Sequence, residues 1–449
     1  MTRLLGLLLM CCLLALETPA ATGQEPESSR PNILIIVTDD QRAGLEVMPA
    51  ARAWFRRRGT TYRPGFVTTP MCCPARASIM TGRYAHNHGV KSNGGGSEPN
   101  LEALDHSTTI QAYLNEEGYR TGLIGKFLNG WRLEDNPPHF DTWANVGGLD
   151  WYDALFNVNG TVRRPRGYVT NVMRRRALSF IRNESADPWY LYVAPKSPHV
   201  PAIPEKRYAN LPLIRWDGNP AVAEKDLSDK PSYVQRGKVT LKRGRWIRRK
   251  QFRTLPSVDN LIESVFAELS AQGELDDTLA FFISDNGYLW GEHRVARKGV
   301  PYRQAVEVTF LATYPGNLSE GFVDRRFAAN IDIAPTVYDA AGITPSTPVD
   351  GRSLLQSWER DRILLEHWCN TEGLDRVCNR WGSIRTRTEQ YVEYNKDGEV
   401  DYREYYDLSD DPWQLTNRLG NRNPFDDPNF STLATQLQQD RSCEGADCP

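Results

Sequence analysis

The sequence predicts an α/β protein: a mixed, mainly parallel central sheet flanked by helices, with a small C-terminal antiparallel α+β subdomain. Three observations carry that expectation. Strand-length apolar runs without a polar face recur along the chain, helical periodicities alternate with them, and the texture turns shorter and more polar after about Asp350. Strands covered by helices on both faces read as continuous apolar runs, whereas strands with one wet face alternate.

Each element follows from its residues. Asn32-Ile-Leu-Ile-Ile-Val37 is β-branched and apolar throughout, as a doubly covered strand should be. Residues 109–117 read as a helix stopped by Gly118, and 119–124 as the next strand. Residues 172–181 are helical and lead to the strand Trp189-Tyr-Leu-Tyr-Val-Ala194. The clearest helix places Val258, Leu261, Ile262, Val265, Phe266 and Leu269 on one face and stops at Gly273. Leu279-Ala-Phe-Phe-Ile283 is another buried-type strand. Further on, residues 384–394 and 402–408 alternate, with a turn at Asn395-Lys-Asp-Gly398. The expected organisation is a leader over 1–23, a large α/β domain over 30–349, and over 350–449 a subdomain of short antiparallel strands and a helix.

Met1-Thr-Arg, an apolar stretch over 4–16 and the small residues of Pro19-Ala-Ala-Thr-Gly23 describe a secretory signal too short to span a bilayer. No later segment is apolar for long enough to cross a bilayer, so a secreted, extracellular protein is expected, or a lysosomal one in a eukaryote, without stable membrane insertion. With 54 Lys/Arg against 56 Asp/Glu the net charge is −2, which offers no global field for nucleic acid. Removing Cys11 and Cys12 with the leader leaves six cysteines. Cys369 with Cys378, and Cys443 with Cys448, are short-spaced disulfide candidates for an oxidising compartment. Cys72 and Cys73 are left without partners, and adjacent cysteines rarely bond each other. Asn159, Asn183, Asn317 and Asn429 head Asn-x-Ser/Thr sequons and are glycosylation candidates. Residues 236–253 carry nine Lys/Arg and no acid; they read as a solvated helix or loop face, with contact to an anionic substrate or polyanion as the alternative.

In an open α/β sheet ligands bind outside the carboxyl ends of the strands. At those ends this chain places Thr38-Asp39-Asp40, Gly125-Lys126, Pro195-Lys196-Ser197-Pro198-His199 and Ser284-Asp285-Asn286-Gly287. Asp39, Asp40, Asp285 and Asn286 form an all-oxygen set suited to calcium, or magnesium, rather than zinc. Taken singly, each Asp reads as a cap or turn residue. Lys126, Lys298, Arg76 and His199 add positive charge or proton donors that would hold an anion beside such a metal. Alone, Lys298 reads as a surface lysine and His199 as a structural histidine. Pro74 can open a helix, with 75–80 compatible, which would set Cys72 near a helix N-terminus. From its own surroundings Cys72 reads equally as a buried structural thiol, a thiolate nucleophile or a chemically special residue.

Pro70-Met-Cys-Cys-Pro-Ala-Arg-Ala-Ser-Ile-Met-Thr-Gly82 resembles the Cys-x-Pro-x-Arg signature of the type I sulfatases, within the alkaline-phosphatase-like superfamily. Gly118-Tyr-Arg-Thr-Gly-Leu-Ile-Gly-Lys126 resembles their second signature. Residues 32–41, Ser284-Asp-Asn-Gly287, Ile333-Ala-Pro-Thr336, Asp350-Gly-Arg-Ser-Leu354 and Tyr406-Asp-Leu-Ser-Asp-Asp-Pro412 fall in family order, so the resemblance spans roughly 30–420. The Cys-Cys form, Arg83-Tyr-Ala-His-Asn-His88 and Gly125-Lys-Phe-Leu128 are closest in pattern to N-acetylglucosamine-6-sulfatase-like members.

The resemblance implies a sulfuric ester hydrolase acting on a sulfated sugar or glycosaminoglycan of the glucosamine-6-sulfate type. It implies that a formylglycine-generating enzyme oxidises Cys72 to formylglycine. One hydroxyl of the aldehyde hydrate would attack sulfur, giving a sulfo-enzyme intermediate, and the other would drive release of sulfate. Asp39, Asp40, residue 72 itself, Asp285 and Asn286 would bind one calcium ion, or magnesium. Arg76 would stabilise the hydrate, Lys126 and Lys298 would hold sulfate oxygens, and His199 would contact the bridging oxygen as general acid. Two residues depart from the pattern. Leu128 stands where many relatives carry histidine, with His86, His88 and His293 as candidate replacements, and Ala75 stands for a commoner serine. Two other readings compete: a phosphodiesterase or phosphonate monoester hydrolase of the same superfamily, and a non-catalytic sulfated-glycan-binding protein using Trp131, Trp151, Trp290 and residues 236–253.

Overall fold

The apolar runs assemble into one ten-stranded sheet. In the computed structural model, which describes residues 30–94, 98–183, 185, 187–369, 379–421, 423–425 and 427–449, its strands are β1 Asn32–Thr38, β2 Thr60–Tyr62, β3 Arg120–Gly125, β4 Thr142–Val146, β5 Phe156–Val158, β6 Thr161–Arg163, β7 Trp189–Ala194, β8 Thr278–Ser284, β9 Phe310–Thr313 and β10 Phe322–Asp324. The spatial order is β10-β2-β9-β8-β1-β7-β3-β4-β5-β6. The inner strands β8, β1, β7, β3 and β4 are all parallel, and antiparallel pairs enter only toward the edges. The leader expected over 1–23 and Cys378 lie outside the described residues.

Alternation along β1 builds two cores. Leu34 and Ile36 enter one face with Phe55, Leu255 and Phe266. Ile33, Ile35 and Val37 enter the other with Ile79, Tyr113 and Val337. Each fully buried side chain of this size contributes about 1.5–3 kcal/mol, so a register slip of one residue in β1 would exchange both sets at once. Helices α1 Cys72–Thr81, α2 Ile110–Glu116, α3 Val169–Ile181, α4 Leu241–Gln272 and α5 Ile333–Ala341 cover the sheet, with α3 and α4 on the first face and the others on the second.

Helix α4 begins well before its readable face over Val258 to Leu269. Thr240 caps it by accepting from the N–H of Arg243, and Pro256 lies inside it. Its early turns are cationic and hide the stripe, because only Gly244, Ile247, Gln251 and Phe252 are buried before residue 254. Arg245, Arg248 and Arg253 donate to the carbonyls of Trp216, Ile214 and Leu211, so a tertiary loop engages three of the nine cations that read as a solvated face.

A four-stranded antiparallel sheet follows, with β11 Arg362–His367, β12 Arg380–Thr386, β13 Glu389–Lys396 and β14 Glu399–Asp407, accompanied by α6 Ser431–Asp440. The stretch 384–394, expected as one strand, is parts of two joined by a tight hairpin at Arg387 and Thr388. The next turn narrows to Asp397 and Gly398, both at positive φ (51° and 89°), as tight hairpin turns of this hand require. Cys443 and Cys448 form a disulfide with Cα atoms 5.0 Å apart. The small sheet shares a core with Phe66, Tyr84 and Val306 of the main body. Its Trp381 Nε1 and Gln390 Nε2 donate to the carbonyls of Gly299 and Pro301, gripping the loop that carries Lys298. All four sequon asparagines are exposed, and among the described residues no helix is long and apolar enough to cross a membrane.

Candidate active site

Because β8, β1, β7 and β3 are neighbours and parallel, their carboxyl ends open on one edge of the sheet. Backbone bonds lock those ends together: the N–H of Asp39 donates to Ser197 O (3.1 Å), that of Lys126 to Ala194 O (2.9 Å) and that of Asp285 to Thr38 O (3.0 Å). Gly125 makes the exit of β3 possible, since it has φ 116° and a Cβ there would lie 2.2 Å from Ala194 O. Asp40 also adopts a left-handed backbone (φ 70°), which is uncommon outside glycine and is concentrated at functional sites.

Helix α1 approaches this edge with its first residue, Cys72, and is buried along its whole length. It starts at Cys72, with Pro74 two residues in rather than at its head. The Cys72 Sγ lies 2.8 Å from Lys298 Nζ and 3.4 Å from Asp39 Oδ1. Lys298 Nζ also donates to Asp40 Oδ1 (2.7 Å), as does Asn286 Nδ2 (2.6 Å). Lys126 Nζ pairs with Asp39 Oδ2 at 2.7 Å. Arg76 donates from Nε to Asp285 Oδ2 (2.8 Å) and from Nη1 to Lys126 O (2.9 Å). His199 Nδ1 lies 2.6 Å from Val200 O; a carbonyl only accepts, so Nδ1 carries the proton and Nε2 faces Asp40 Oδ2 at 3.8 Å. The nine residues singled out from the sequence, seven from strand ends and loops and two, Cys72 and Arg76, from α1, therefore meet in one cluster.

The electrostatics follow from burial without isolation. Burial alone would raise the carboxyl of Asp39, but Lys126, His199, Arg76 and Lys298 outweigh it and hold it well below the usual range. Burial disfavours the Lys126 ammonium, yet Asp39 more than restores it. Burial, reinforced by Asp285 and Asp39, pushes the Cys72 thiol well up, so it is a poor thiolate. Cys73 is different: its thiol, pushed by burial to about 12, faces Asn129 O, and its N–H donates to Asn93. Ligand atoms of Asp39, Asp40, Cys72 and His199 lie within 4.8 Å of one another, a spacing that one cation can bridge. Asn286 Oδ1 is buried without a hydrogen-bond partner, and such an orphaned oxygen fits a hard cation.

A cavity of about 220 Å³ opens over the cluster, lined by Asp39, Lys126, Leu128, Trp131, Lys196 and His199 among others. A larger cavity of about 750 Å³ lies elsewhere, around Arg120, Trp189 and Glu274, remote from the strand-end chemistry. Trp131 and Trp151 line the smaller cavity, whereas Trp290 is a core residue donating to Gln251. Lys196 was legible only as one more strand-end lysine; its ammonium braces the loop over the cavity through Gly148 O and Asp150 O, and burial pushes it down to about 8. Leu128 is an apolar wall. None of the three replacement histidines lines the cavity: His88 binds Ser78, His86 pairs with Glu366 and His293 pairs with Glu224.

The family model for sulfatases matches residues 31–343, well over half of the chain. The chain belongs to the sulfatase family. A second model, N-sulphoglucosamine sulphohydrolase, C-terminal, matches residues 291–442. This sulfatase-family chain is 32% identical over 360 residues to the extracellular sulfatase SULF-1 homolog of Drosophila melanogaster, covering 76% of the chain but only 32% of that relative's length. It is 28% identical over 492 residues to the N-acetylglucosamine-6-sulfatase of Capra hircus, covering 95% and 86%. The fold is shared with a structure solved in complex with its substrate D-glucosamine-2-N,6-O-disulfate (TM-score 0.74, 22% identity, 92% and 96% covered). It is shared as well with a phosphonate monoester hydrolase of Agrobacterium radiobacter (TM-score 0.68, 21% identity, 91% and 94% covered).

Proposed function

We propose that this chain is an exported sulfatase, secreted or lysosomal, that hydrolyses sulfate esters of a sulfated sugar or glycosaminoglycan of the glucosamine-6-sulfate type. The observation that carries the proposal is the seating of Cys72 Sγ between Lys298 Nζ and Asp39, beneath a cavity walled by Lys126 and His199. Two ammonium groups beside one buried residue suit an anionic group whose charge shifts as a bond breaks.

In this reading a formylglycine-generating enzyme converts Cys72 to formylglycine, whose hydrate supplies two hydroxyls on one carbon, one to attack sulfur and one to drive its later release. Asp39, Asp40, Asp285 and Asn286 would hold calcium, or magnesium, which supplies Lewis acidity when bound. Lys126 and Lys298 neutralise sulfate oxygens. Arg76, clamped by Asp285 and Lys126 O, keeps a fixed positive charge behind residue 72. His199, its Nδ1–H engaged by Val200 O, offers Nε2 as the atom that protonates the departing alcohol. Residues 30–349 form the catalytic domain, and 350–449 a subdomain that braces the Lys298 loop.

Mass spectrometry of the peptide carrying position 72, from a host that contains the modifying enzyme, should find formylglycine. Glucosamine 6-sulfate should release sulfate faster than a matched phosphonate monoester is cleaved. An unmodified Cys72 in fully active protein overturns the mechanism, and a preference for the phosphonate overturns the sulfatase reading.

A further inference from the structure

The first turns of α4 carry a charge pattern that folding opposes. Trp246 is 37% exposed there, and the four positions surrounding it three and four residues away are Lys242, Arg243, Arg249 and Lys250. The guanidinium of Arg243 lies 4.0 Å from the Trp246 ring centroid and the ammonium of Lys250 5.4 Å. Among the described residues none of these four cations has a carboxylate partner, whereas Arg245 and Arg248 on the flank pair with Asp217 and Glu46. The first turn holds no acid. A helix N-terminus already bears partial positive charge, and like-charged neighbours such as Arg245/Arg249 and Arg249/Arg253 add repulsion to it. Local stability would favour acids here; the chain has none from Arg236 to Arg253.

The patch is anchored to the site's own loop. Gly244 packs so closely on Trp290 O that a Cβ would lie 1.7 Å away, and the N–H of Val239 donates to Arg294 O. Trp290 and Arg294 both belong to the segment running from Asn286 to Lys298.

We propose that this face of α4 is an exosite for a linear sulfated polysaccharide, holding an extended anionic chain outside the catalytic cavity. The exposed indole, with Arg243 stacked over it and Lys250 close above its ring, holds these cations in a fixed cluster for sulfate groups, while its open edge lies against a sugar ring. The net charge of −2 makes the positive field local to this face, unlike the broad basic surface that holds proteins to nucleic acid. The choice of a sulfated polymer rests on the sulfatase proposal above.

The test uses the full chain with heparin as probe, against desulfated heparin, duplex DNA and phosphatidylserine vesicles. Heparin should bind in preference to the other three. The variant K242S/R243S/R249S/K250S should lose about tenfold or more in heparin affinity, and its log–log salt slope should fall by roughly 3 if counterion release governs binding as on other polyanions. Turnover of monosaccharide glucosamine 6-sulfate should not change. Trp246→Ala, which alters no charge, should weaken heparin binding about threefold and keeps the test alive if the quadruple variant does not fold. Absence of heparin binding, equal binding by both variants, or DNA or vesicles held as tightly as heparin overturns the exosite. Failure of the sulfatase reading would show separately, as no turnover of the monosaccharide.

Discussion

Among the described residues, the buried charged cluster at the strand ends and the one at the junction with the C-terminal sheet differ in kind, and only the first has the form of a reaction site. At the strand ends, Asp39, Asp40, Asp285, Arg76, Lys126 and Lys298 converge around Cys72 under an open cavity. At the junction with the C-terminal sheet, Lys230 Nζ meets Glu224, Asp229 and Leu415 O, while His293 meets Glu224. Glu404 there accepts from Tyr302, Tyr406 and Tyr394 at 2.7–2.9 Å, and burial raises its carboxyl. The junction cluster is roofed by tyrosines, so every charge faces a fixed partner. The strand-end cluster matches three cations with three carboxylates around one residue and keeps a path to solvent. Burial and a shifted pKa are thus common to structure and chemistry; convergence on a reactive atom beneath a cavity separates them.

The sharpest break of this comparison is at Cys72. Cys72→Ala should reduce sulfate release to background while Cys73→Ala retains measurable activity; equal loss in both would dissolve the distinction between the two thiols. At the junction, Lys230→Met leaves Glu224 and Asp229 facing no ammonium and should cost about 3–5 kcal/mol in denaturant unfolding, with turnover per folded molecule preserved. Lys298→Ala also uncovers a buried carboxylate, Asp40, but because its ammonium touches Cys72 it should in addition lower kcat per folded molecule by roughly 10²–10³. A stability loss with turnover per folded molecule preserved, as for Lys230→Met, would make Lys298 structural.

The smallest effect lies at the seam between the two bodies. Burial would lower the pKa of His86, but Glu366 on β11 and the carbonyl of Cys443 outweigh it and raise it above the ordinary value. A folded pKa above the unfolded one contributes stability that is complete below about pH 6.5 and is lost as pH rises through the folded value. The melting temperature should therefore fall slightly as pH rises above about 6.5, and His86→Gln should flatten that slope. An unchanged slope would assign the pH dependence elsewhere.

Much of the site was legible because parallel strands deliver their carboxyl ends to one edge whatever the loops do. Asp39 and Asp40, Lys126, His199, Asp285 and Asn286 all follow readable apolar strands. The walls were legible only as separate residues, Lys196 at a strand end, Leu128 as a departure from the pattern and Trp131 as a loop aromatic, because their shared place comes from loop packing over the cavity and carries no periodic signal. The first turns of α4 were hidden by their own cations, and the hairpin at Arg387 and Thr388 by the lack of any Gly, Pro, Asn or Asp to mark the turn between residues 384 and 394.

By itself the sequence determined the period of each element, the edge to which the polar groups go and the signature around Cys72, because these depend on residues close together in the chain. Only the tertiary structure decided that Lys298, 226 positions away, touches the Cys72 sulfur, and that Glu366 and Trp381 of the C-terminal sheet hold the pieces that frame it. Contacts between distant segments are set by how whole layers pack, and no local pattern encodes that geometry.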